Sequence, residues 1–171
     1  GRHAVIHLCR NFEHRTLKTV SQILAEETPT RRFGFLTGPM RKEDVDSGLP
    51  ASGVCATVFP ELQDFVEECL VSTSFRLYRS DDLLGSEVAA AYCRVIAMAA
   101  GVGSELNLGD SLRATLFSRG LAEMGRFVDH RGGRERTTFG ISGSANLFID
   151  TAGEGSPDFQ IGVGAMRKNS F

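Results

Sequence analysis

Between Leu83 and Ala100 the chain carries six alanines (Ala89, Ala90, Ala91, Ala97, Ala99 and Ala100) with no proline and no interior glycine after Gly85. Such a run favours helix strongly, and side chains this small let neighbouring elements come close. The stretch therefore predicts a buried helix around which the rest must pack. It is too short, and too interrupted by Tyr92, Cys93 and Arg94, to be read as a membrane span. Ser80 is placed to cap it, Asp81 and Asp82 suit the positive end of the helix dipole, and Gly101 and Gly103 are expected to end it.

The chain before Ser80 has a different character. Ala4–Leu8 reads as a buried strand. A helix with an apolar stripe at Leu17, Val20, Ile23 and Leu24 follows over 15–27, until Pro29 stops it. Strands are expected at 33–36, 53–57 and 75–78, with a short solvated helix at 41–46. A longer helix opens on Pro60, which costs no hydrogen bond in the first turn. Strand, helix, strand, strand, helix, strand is part of an α/β sheet rather than a complete one.

After the alanine-rich helix, a second helix runs from Asp110 to Val128 with Leu112, Leu116, Leu121 and Met124 on its apolar side. A loop at 131–133, a small-residue stretch at 137–148 and a flexible loop at 153–158 complete the chain. Two domains are expected, an α/β segment over 1–79 and a mainly helical domain over 80–171, docked because neither buries enough surface alone.

Composition narrows function mainly by exclusion. Over 171 residues the chain is 42% hydrophobic and 23% charged, with a net charge of −2. That balance provides no basic field for nucleic acid and is ordinary for a soluble domain. The N-terminus does not resemble a signal peptide, because Arg2, His3, His7 and Arg10 interrupt its apolar residues. Four scattered cysteines (Cys9, Cys55, Cys69 and Cys93) form no CxxC pair, which points to reduced thiols in a cytoplasmic protein and to no metal site. His3 and His7 lie four residues apart on a strand, roughly 13 Å, so they are expected as surface or edge histidines rather than metal ligands. Cys93 reads as an inert small hydrophobe. Asp110, Arg113 and Arg119 read as solvated charges on one helix.

Several blocks, in order, resemble the NAD-dependent glycerol-3-phosphate dehydrogenase family. They are Gly38-Pro39, Gly48-Leu49-Pro50, Phe75–Tyr78, the run from Gly85 to Gly101, the run from Leu106 to Met124, and Phe139–Gly143. The resemblance implies a helical substrate domain like the C-terminal domain of 6-phosphogluconate dehydrogenase, preceded here by only the last strands of a dinucleotide-binding domain. The fingerprint G-x-G-x-x-G after a first strand is absent. No complete Rossmann domain and no cofactor are expected.

At the positions where that family keeps its chemistry, this sequence departs from it. The family's lysine in an A-L-K-N motif falls on Cys93 of Ala91-Tyr92-Cys93-Arg94. A second lysine, before glycine, falls on Arg10, which keeps the charge but holds its proton too firmly to act as a base. The family aspartate after G-x-G becomes Asn146, and the threonine four residues on becomes Asp150. The phosphate-binding R-N-R falls near Ser156–Phe159, where Asp158 would repel a phosphate. Hydride transfer to a ketone needs a proton donor and a cation at the developing oxyanion, so the resemblance implies a catalytically inactive homologue that binds or assembles. Self-association or a protein partner is expected on the face left by the missing domain. Two alternatives remain: a truncated or split dehydrogenase interconverting glycerol 3-phosphate and dihydroxyacetone phosphate, and a sensor of a small phosphorylated metabolite. Arg94, Arg119 and Asn146 are the candidate ligand-binding residues.

Overall fold

The structure, a computed structural model, describes residues 3–153 and 155–168. Four strands form one mixed sheet in the order β1 (Val5–His7), β2 (Phe33–Thr37), β3 (Ala51–Ala56), β4 (Phe75–Ser80). The pair β1–β2 is parallel, β2–β3 antiparallel and β3–β4 parallel. All five residues of β2 are buried, as expected of a strand covered on both faces. Alternation sends Phe35 and Ala56 toward Ala90 and Leu83 on one face. It sends Leu36, Cys55 and Leu77 toward Val66 on the other.

The second face is covered by α3 (Pro60–Leu70). The first receives α4 (Leu83–Glu105), the alanine-rich helix. Two more helices, α1 (Val20–Glu27) and α2 (Lys42–Asp46), lie in the first segment. Behind α4 come α5 (Gly109–His130), a 3₁₀ segment (Glu135–Phe139), a π-helical turn (Ile141–Ala145), α6 (Asn146–Thr151) and α7 (Pro157–Lys168). Val88, Ala89, Cys93 and Ile96 of α4 close a core with Met124, Val128 and Leu147. By length and composition α4 could cross a membrane, but 61% of its apolar window is buried inside the protein, so it is the core helix.

Four local expectations need correction. Gly101 and Gly103 do not end α4, which runs on to Glu105. A Cβ on Gly101 would stand 2.0 Å from the Phe159 carbonyl oxygen, and one on Gly162 would stand 2.0 Å from that of Met98. The two glycines let the α4 and α7 backbones touch, so Gly101 serves packing rather than termination. The first helix starts at Val20 instead of Arg15, because Leu17 takes a positive φ of 56°. The Glu13 carboxylate meanwhile accepts the backbone N–H groups of Arg15 and Thr16. Asp82, not Ser80, caps α4: its carboxylate accepts Gly85 N–H at 2.9 Å, Arg134 N–H at 2.9 Å and the Thr137 hydroxyl. Of the loop expected over 153–158, Pro157 and Asp158 already belong to α7, and Glu154 lies outside the described residues.

His7 lies on the edge strand β1, as one of the two expectations had it, but not at the surface. It is buried, its ring stacks on Phe35 at 5.0 Å, and Nε2 lies 3.1 Å from the Glu87 carboxylate of α4. That approach is too poorly aligned to count as a hydrogen bond, and Nδ1 has no partner. Glu87 instead accepts Ser21 N–H and the Ser21 hydroxyl. β1, α1 and α4 meet at this buried joint.

Candidate functional site

Arg10 follows β1, and its guanidinium reaches across to α4 and α6. Nε and Nη2 donate to the Ala90 carbonyl at 3.4 and 3.3 Å, while Nη1 and Nη2 face the Asp150 carboxylate. The Asp150 side chain is 10% exposed and that of Arg10 26%. One turn further along α4, Arg94 forms a fork on Asp158, at the start of α7. Nε lies 2.9 Å from both carboxylate oxygens and Nη2 2.7 Å from Oδ1. The Asp158 side chain is 10% exposed and that of Arg94 33%. The Asp158 carboxylate is the main cause raising the Arg94 pKa, and Asp150 adds a smaller push in the same direction. Two cations and two anions thus share one field with no net charge.

Cys93 lies beneath them, fully buried, its thiol 3.5 Å from the Gly143 carbonyl. Burial is the main cause pushing this thiol up to about 12. Arg10 pulls the other way and Asp150 adds to the rise. A neutral thiol at this depth is neither nucleophile nor cation. Asn146, at the head of α6, is 1% exposed; its amide donates to the Thr37 hydroxyl at 3.0 Å and to the Ser142 carbonyl at 3.1 Å. This bond ties the end of β2 to the helical half, and Arg41 adds another tie through the Ile149 carbonyl at 3.2 Å.

The fold therefore brings Arg10, Cys93, Arg94 and Asp150 into one cluster, with Asn146 beside it. Arg119 stands apart: it is exposed on α5 and has no ion pair or side-chain hydrogen bond among the described residues. Arg113, not Arg119, pairs with Asp110, at 2.8 Å. Sequence spacing does not show the pairing: Asp158, expected as a charge that would repel phosphate, is the partner of Arg94.

Among the described residues no group of three or more His, Cys, Asp or Glu side chains converges as a metal ion would require. Gly101, Gly143 and Gly162 are each closed by a neighbouring carbonyl about 2 Å from where a Cβ would stand, so these three glycines serve close packing. Two sizeable cavities lie elsewhere. One of about 580 Å³ runs beside β4 and the 3₁₀ segment, and an apolar one of about 520 Å³ is lined by Leu36, Met40, Leu49 and Phe75.

A partial mixed sheet leading into a long central helix, with shorter helices packed on it, defines a dehydrogenase-type helical domain without a complete Rossmann domain. Residues 82–171 match the family described as NAD-dependent glycerol-3-phosphate dehydrogenase C-terminus, and the chain belongs to that family. It is 38% identical to the glycerol-3-phosphate dehydrogenase [NAD(P)+] of Sinorhizobium fredii, over 99% of this chain and 51% of that protein. It is 36% identical to the enzyme of the same name from Gluconobacter oxydans, over 93% of this chain and 49% of that one. The crystal structure of glycerol-3-phosphate dehydrogenase from Coxiella burnetii superposes with a TM-score of 0.92 at 25% identity. That match covers 96% of this chain and 50% of the other. The chain spans about half the length of the curated relatives it matches.

Proposed function

We propose that this chain does not reduce dihydroxyacetone phosphate by itself and acts instead as a binding or assembly module. One observation carries the reading: both arginines of the cluster, at the cleft that the family resemblance implies, are neutralised by aspartates above a buried, uncharged Cys93. Reduction of a ketone builds negative charge on its oxygen, and that charge has to be met by a preorganised donor or cation. At the position where the family resemblance implies a lysine there is a thiol. Arg10 and Arg94 cannot turn to a substrate without leaving Asp150 and Asp158 buried and unpaired, which costs about 1–3 kcal/mol once the partial exposure of the arginines is allowed for. In this reading the 1–79 segment serves as a platform for the helical domain over 80–171.

Exposed Val95 on α4, Phe148 on α6 and Ile161 on α7 support self-association or a protein partner, since apolar side chains of this size gain from burial. Four free thiols favour a reducing compartment, and hence the cytoplasm. The test is to add NADH and dihydroxyacetone phosphate to the purified chain and follow absorbance at 340 nm. No oxidation above a buffer blank is expected, and turnover would overturn the reading. Light scattering on a sizing column should give a mass above that of the 18.6 kDa monomer.

A second reading is favoured by the half-length match to proteins named as dehydrogenases. In it the chain is one part of a split or truncated enzyme whose remaining part comes from elsewhere. Mixing the wild-type chain with a dinucleotide-binding partner separates the two readings, because only a competent split enzyme would then turn over with Cys93 in place.

A further inference from the structure

We propose that Asp150 and Asp158 are resident anions. Their carboxylates occupy the guanidinium forks of Arg10 and Arg94 in the way a phosphate group would, and so close both forks to anionic ligands. The inference rests on the reading above that these arginines serve no substrate, and names the device that occupies them.

The geometry is that of anion recognition turned inward. Arg94 presents Nε and Nη2 to Asp158 at 2.9 and 2.7 Å, the two-pronged arrangement by which arginine grips a carboxylate or a phosphate. Arg10 presents Nη1 and Nη2 to Asp150 in the same sense. Each carboxylate is 90% removed from solvent while its arginine keeps a quarter to a third of its surface exposed. The cations are therefore reachable and the anions are not. Asp150 acts on both arginines, since it pairs with Arg10 and also raises the Arg94 pKa. An entering dianion would have to displace these buried carboxylates from their arginines, and would be repelled by them on approach.

Neutralising the carboxylates should reverse this. In Asp150→Asn/Asp158→Asn the two guanidinium groups keep their place beside α4, and the cleft changes from net neutral to net doubly positive. Inorganic phosphate is the probe, titrated by calorimetry into the full chain at matched ionic strength with sodium chloride as the control. The wild-type chain is expected to show no phosphate-specific heat. The double variant is expected to bind at least roughly tenfold more tightly, ~1.4 kcal/mol. Adding Arg94→Gln should remove the gain, which separates a specific fork from a general change in charge. Two results would overturn the proposal: phosphate binding by the wild type as tight as by the double variant, or no gain in a double variant that circular dichroism shows to be folded. Where the double variant does not fold, Asp158→Asn alone is held to the same two criteria, because Arg10 and Asp150 remain paired in it. Turnover of NADH with dihydroxyacetone phosphate by the wild type would overturn both readings, because a phosphate ester would then be entering, whereas no gain in a folded double variant would overturn this proposal alone.

Discussion

Two buried polar clusters join this molecule, and they are built on opposite principles. At the His7–Glu87–Ser21 joint, one carboxylate is 3% exposed and is held chiefly by hydrogen bonds, one of them from a backbone N–H and the other from a hydroxyl. At the cleft, Arg10–Asp150 and Arg94–Asp158 are charge pairs with one end at the surface. A buried carboxylate satisfied by fixed donors has no alternative partner, so it specifies how β1, α1 and α4 meet. A guanidinium that keeps a quarter to a third of its surface exposed has water as an alternative, so its pair contributes less to how the elements meet.

The comparison breaks most easily at the joint. Glu87→Ala removes the acceptor of both Ser21 donors and leaves His7 facing an empty space, so a loss of roughly 3–5 kcal/mol is expected. Urea unfolding followed by circular dichroism measures it. At the cleft, Arg94→Gln strands the Asp158 carboxylate, but water can reach it through the space the arginine leaves. The same measurement should give a smaller loss, about 1–3 kcal/mol once solvent screening is allowed for. A loss at the cleft equal to or above that at the joint would erase the distinction.

The buried thiols sharpen the picture through pH. Burial pushes Cys55 up to about 11 and Cys93 up to about 12, from an ordinary value of 9.0. The folded state therefore holds these protons where the unfolded chain releases them. Their contribution to stability is complete below pH 9 and is lost as pH rises from there toward 11 and 12, at about 1.4 kcal/mol per pH unit for each thiol. Cys93→Ala should make the decline between pH 9 and 11 shallower. At pH 8, iodoacetamide should label exposed Cys9 and Cys69 but spare Cys55 and Cys93 until denaturant is added, as counted by mass spectrometry. The smallest effect belongs to the fully solvated pair Lys42–Asp46. There Asp46→Ala should change stability by no more than about 0.5 kcal/mol in the same urea assay.

Much of this was legible in one dimension. The alanine content of α4, the apolar stripe of α3 beginning at Pro60 and the order of strands before Ser80 follow from local preferences that hold wherever the segment sits. So does the thiol at position 93, because an aligned motif states which residue is present. Element ends were less legible. Gly101 looks like a helix stop until α7 is laid across it, and Leu17 sits inside an apolar stripe that its own backbone does not continue.

The sequence by itself determined that an alanine-rich helix would be the core, that a partial sheet would precede it, and that residue 93 of that helix would be a thiol. Only the tertiary structure decided that Arg10 would find Asp150 across 140 positions and Arg94 find Asp158 across 64. Spacing along a chain encodes which face of its own element a residue shares. Which charges meet between elements depends on how those elements cross, and here that crossing rests on two glycines and a buried glutamate.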